Sequence, residues 1–132
     1  MNDLQQAIEI LNSKQDKIVL VKAKFIQKFP TLDIKILIDL INDENDYEDF
    51  SIAISEISRS IAFILVVLGV SKIYTKKISH LATQILDRAQ IEYKADSIVD
   101  KLDNAELEKL DEIVLRSGSP LNALKDLENA LK

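Results

Sequence analysis

The sequence contains no cysteine and no tryptophan, and only two glycines and two prolines in 132 residues. Without cysteine there are no disulfides, thiolate nucleophiles or cysteine-bound metals, and a reducing compartment, the cytoplasm, is the expected location. Scarce glycine and proline leave few turn signals, which disfavours an all-β fold and favours helices. Two isolated glycines, Gly69 and Gly118, cannot form a phosphate-cradling loop. At 5% aromatic content, stacking platforms for single-stranded nucleic acid are thinly supplied.

Long hydrophobic runs are missing as well. The longest uncharged apolar stretch, Ile61 to Val70, spans ten residues, whereas a membrane-crossing helix needs roughly 20. It is expected to be a buried core helix, with no membrane role. Met1 to Leu11 interleaves Asp3, Gln5, Gln6 and Glu9 with apolar residues, unlike a secretory signal, so no export is expected.

What is present fits one globular domain, residues 1–132, with 47% hydrophobic and 30% charged residues. The net charge of −5 is unevenly spread: residues 31–60 carry eight acidic and two basic side chains, while residues 1–30 carry five lysines and three acids. An acidic chain is repelled by phosphate backbones unless its lysines gather on one face.

Apolar residues at Leu4, Ala7, Ile8, Leu11, Ile18, Val21, Phe25 and Phe29 recur at helical spacing, interrupted by Asn12 to Asp16. This predicts one long helix or two. Pro30 marks a boundary after Phe29. Leu32 to Ile41 fits a further helix, although Leu32, Ile34, Ile36, Ile38 and Leu40 also alternate as a strand would. Val21, Ala23 and Phe25 alternate similarly, giving an α+β alternative with a hairpin across residues 18–41 closed near Phe29 to Thr31.

Downstream, Ile54, Ile57, Ile61, Ile64, Leu65 and Leu68 predict a helix that becomes apolar on all sides, and Tyr74, Ile78, Leu81, Ile85 and Ala89 predict an amphipathic one. Asp103 and Glu106 resemble a capping box for a helix from Asn104 to about Arg116. Gly118, Ser119 and Pro120 then give a stop, a cap and a first-turn proline for a last helix carrying Leu121, Leu124, Leu127 and Leu131. The expected architecture is therefore an all-α bundle of five or six helices. The Ile61 to Val70 helix sits at its centre, with homodimerisation a further expectation because a small bundle has few neighbours to enclose that helix.

No catalytic, cofactor-binding or metal-binding residue is expected. The polar run Asn42 to Asp49 is rich in oxygen ligands, yet it fails the EF-hand pattern: with Asp43 first, Glu48 occupies the glycine position and Ile54 the bidentate glutamate position. His80 is the single histidine and has only Lys76 and Lys77 as charged neighbours on its predicted helix. No serine, threonine or lysine lies in a nucleophile-elbow context. Phe29 and Pro30 followed by Asp33, Leu37 and Leu40 resemble the opening of a CUE-type ubiquitin-binding module. That resemblance implies ubiquitin contact through the Phe-Pro pair and a later di-leucine, but the corresponding stretch here reads Ser55, Glu56, Ile57.

Two surfaces remain as functional expectations. An interaction protein, such as an adaptor, inhibitor or immunity-type factor, would present Asp43, Asp46, Glu48 and Asp49 to a basic protein partner, complementary charge speeding association. The alternative is a nucleic-acid accessory protein, acting as an oligomer through Lys14, Lys17, Lys22, Lys24 and Lys28.

Overall fold

The computed structural model describes residues 2–132 and corrects the expected architecture: the chain is an α/β protein with a five-stranded mixed sheet, not an all-α helical bundle. Helix α1 (Asp3–Asn12) leads into an antiparallel hairpin of β1 (Ile18–Lys22) and β2 (Phe25–Phe29), followed by α2 (Ile34–Asn42). Then β3 (Ser51–Ile57), α3 (Arg59–Leu68), β4 (Lys72–Ser79), α4 (His80–Arg88) and β5 (Glu92–Val99) alternate, and α5 (Ala105–Ile113) and α6 (Pro120–Ala130) close the chain. The strand order is β2-β1-β3-β4-β5; β1 runs antiparallel to both neighbours, whereas β3, β4 and β5 are parallel.

The hairpin expected to close near Phe29 to Thr31 does not form; a different one pairs residues 18–22 with 25–29. Its turn is Ala23–Lys24, with Ala23 at φ +54°, and the residues after Pro30 form α2 rather than a returning strand. Phe29 and Pro30 therefore close a strand, and Asp33 caps α2 by accepting the Lys35 N–H at 2.9 Å.

The sheet separates two apolar layers. On one face Ile18, Leu20, Ile52, Ile54 and Ile73 pack beneath α2, α3, α4, α5 and α6; on the other, Val19, Val21, Ala53 and Tyr74 pack against Ala7 and Leu11 of α1. Residues 18–21 and 52–54 are apolar at every position because both of their faces are covered, as expected for interior strands. Ile61, Ala62, Ile64 and Leu65 of α3 are fully buried among the sheet and helices α2, α4, α5 and α6. One chain thus encloses the apolar segment, so its hydrophobicity no longer argues for a second copy. Gly69, at φ +82°, ends α3 in the left-handed conformation. Among the described residues, no helix is long and apolar enough to cross a membrane.

Candidate functional site

In sheets of this kind, ligands are received at the carboxyl ends of parallel strands, where helix N-termini converge. Here that position lies past Ile57, Ser79 and Val99, and it holds a cavity of about 220 Å³ lined by Ser58, Arg59, Ser79, Lys101, Asn104 and Asp111 among others. Ser58 caps α3, accepting the Ile61 N–H, and Ser79 caps α4, accepting the Ala82 N–H at 3.2 Å. The Ser58 and Ser60 hydroxyls lie 2.9 Å apart and are buried.

The polar groups of this crevice are largely committed to one another. Asp111, reaching from α5, accepts the Ser60 N–H at 2.9 Å, so an internal carboxylate occupies the positively polarised start of α3. Lys101 and Glu108 form a 2.8 Å ion pair, which holds the Lys101 ammonium above the ordinary lysine range, and Asn104 donates to Glu56 at 3.0 Å. His80 opens α4 but is exposed and does not line the cavity. No group of three histidine or acidic side chains able to hold a metal occurs among the described residues.

The acidic loop lies at the other end of the strands, between α2 and β3. Two aromatics anchor it: Tyr47 and Phe50 are buried with ring centroids 5.0 Å apart. Asp43 is turned inward, accepting the Asn45 N–H at 2.9 Å and the Tyr47 hydroxyl at 2.8 Å, and these bonds, the Asn45 amide first, hold its carboxyl below the usual range. Burial, chiefly, pushes the Tyr47 phenol up. Asp46 accepts the Glu48 N–H at 2.9 Å, and Asp49 pairs with Lys22 at 3.7 Å while remaining exposed. Of the four expected acids, then, Asp46, Glu48 and Asp49 face outward and Asp43 braces the loop.

Sequence reasoning missed what adjoins them. Phe25 and Ile26, at the start of β2, are 73% and 40% exposed and line a groove of about 370 Å³ with Gln27, Asp46, Tyr47 and Phe50. Phe25 shares helical spacing with Val21 and Phe29, which assigned it to a core stripe. The alternation of Val21, Ala23 and Phe25 was no better guide, because the chain turns at Ala23 and Lys24.

The five lysines are not brought to one face. Lys14 and Lys17 precede β1, Lys22 and Lys24 lie at its far end, and Lys28 sits on β2 opposite Val19. The strand between the two groups spans about 17 Å at some 3.3 Å per residue. Lys22 is engaged with Asp49 and lies 5.8 Å from the centre of the Phe50 ring.

Comparison with known proteins sets this arrangement in a family. No curated protein matches the sequence. A solved structure from Thermotoga maritima, described as a DUF1893 family protein (TM1506), superposes with a TM-score of 0.85 at 15% identity, over 98% of this chain and 90% of that one, which shows a shared fold. The family model described as "TM1506: Domain of unknown function (DUF1893)" matches residues 6–127, and the chain belongs to the DUF1893 family.

Proposed function

We propose that the chain is a non-enzymatic interaction module, which binds a protein segment combining basic and apolar side chains at the surface formed by the hairpin tip and the acidic loop. The observation that supports this reading is the exposure of Phe25 and Ile26 beside Asp46, Glu48 and Asp49. Exposed aromatics bordering a groove are the kind of anchor around which protein interfaces form, and acidic residues at the rim steer a basic partner. The mutual commitment of the polar groups at the strand ends favours binding over catalysis, because neither Ser58 nor Ser79 is paired with a base. Scattered lysines, one of them tied to Asp49, make the nucleic-acid alternative the weaker reading.

The test compares three immobilised proteins in capture from the native host: the natural chain, Phe25→Ser, and the triple change Asp46→Lys, Glu48→Lys, Asp49→Lys. A partner retained by the first and lost by the other two, with slower association at low salt for the triple variant, is the expected result. Equal retention by all three, with thermal unfolding unchanged, would overturn the proposal.

A further inference from the structure

We propose that the groove between α3, α4 and the loop joining α5 to α6 is a binding site for a small organic anion with an apolar body, such as an aryl carboxylate or an aryl phosphate monoester. This site is separate from the hairpin tip and does not depend on the interaction reading. Its volume is about 460 Å³, and Phe63, Val66, Leu81 and Ile85 supply an apolar lining. A cavity of roughly 300–1,000 Å³ with such a lining and a few convergent polar groups suits a small molecule.

The charge chemistry selects the ligand class. The chain has only three arginines among its 17 basic residues. Two of them, Arg59 and Arg88, line this groove, and Arg116 adjoins Ser117, which lines it as well. A guanidinium presents a planar fork of donors that matches carboxylate and phosphate oxygens, and it tolerates apolar surroundings better than an ammonium. Both ion pairs found among the described residues use lysine. Arg59 and Arg88 therefore keep their charges unpaired in a chain where acids outnumber bases.

Arg59 is also placed against its own helix. It is the first residue of α3, where the helix dipole disfavours a cation, and it is half-buried rather than free to swing into water. Asp111 and Glu112 border Arg59 in the strand-end crevice without forming an ion pair with it, and an anion received between Arg59 and Arg88 would satisfy its charge. The apolar body of such a ligand would cover Leu81, now 46% exposed at the mouth of the groove.

The test uses the full chain with 1-naphthyl phosphate as probe and 1-naphthol as its neutral counterpart. Calorimetry and amide NMR should show one-to-one binding of the phosphate ester, with resonances of Phe63, Leu81, Ile85 and Ser117 shifting together. The affinity should fall at least tenfold in Arg88→Gln and in Arg59→Gln. Leu81→Glu, an exposed change that sets a negative charge at the mouth, should weaken binding similarly, while Lys14→Gln should leave it unaltered. The proposal is overturned if 1-naphthol binds as tightly as its phosphate, if neither compound binds, or if Arg88→Gln and Leu81→Glu keep the natural affinity. It is equally overturned if sedimentation shows a dimer whose formation shields Leu81 and Arg88, since a second copy would then fill the groove.

Discussion

At the scale of single residues, two carboxylates accept hydrogen bonds whose loss has a measurable cost. Tyr74 lies on the sheet face covered by α1 and donates its hydroxyl to Asp96 at 2.6 Å; burial first, then that carboxylate, push the phenol up to about 12. In the unfolded chain the phenol titrates near 10, so its contribution to stability is complete below about pH 10 and is lost as pH rises from about 10 to about 12. Tyr74→Phe should reduce the alkaline loss, leaving the part due to Tyr47 and Tyr93, and cost about 1 kcal/mol at neutral pH, which urea unfolding at pH 7 and pH 11 will show. Asp111 accepts the Ser60 N–H inside the strand-end crevice, and Asp111→Ala should destabilise by about 1–2 kcal/mol in denaturant unfolding at neutral pH. Asp111→Asn, which keeps an acceptor oxygen, should lose less.

Among the secondary elements, left-handed residues explain both a prediction and a gap in what the sequence revealed. Helices α1 and α4 are followed by Lys14 at φ +71° and Gln90 at φ +58°, positions that glycine ordinarily fills. Lys14→Gly and Gln90→Gly should each stabilise by about 0.5–1 kcal/mol through relief of the left-handed strain, read as a raised melting temperature. Because glycine is missing at these stops and at the Ala23 turn, the usual punctuation is silent there. Ser119 and Pro120 open α6 as expected, but Asn104 and not Asp103 caps α5, which ends at Ile113, well before Gly118, and Gly118 is not left-handed. Strands β3 and β4 were hidden by their connections. Only Ser58 separates β3 from α3, and β4 passes into α4 with no loop at all. Tyr74 and Ile78 on the strand therefore fell into step with Leu81 and Ile85 on the helix, and one false helical stripe resulted. β5 was obscured for another reason: as an edge strand it alternates Glu92, Lys94 and Asp96 with Tyr93 and Ala95, leaving little apolar signal. The acidic loop was legible as charge alone; the exposure of Phe25 depends on where the hairpin turns, which no glycine marked.

For the molecule as a whole, the two layers are unequal. Five helices cover one face of the sheet and α1 alone covers the other. Ile64 of α3 is fully buried in the larger layer, and Ile64→Ala should cost about 2–5 kcal/mol in equilibrium unfolding. The smaller layer depends on Ala7 and Leu11 of a single helix, so its opening does not require the larger layer to part.

The enclosure of α3 also governs hydrogen exchange. Its central residues Ile61, Ala62, Ile64 and Leu65 are covered by the sheet on one side and by α2, α4, α5 and α6 on the others, and no partial opening that spares these elements reaches them. Deuterium should therefore replace the central α3 amide protons last, with an opening free energy that matches global unfolding measured with denaturant, while α1 and the edge strand β2 exchange earlier. If α3 amides exchange as fast as those of α1, the enclosure is not what holds the fold closed. Otherwise solvent reaches the centre of α3 only when the native state itself opens.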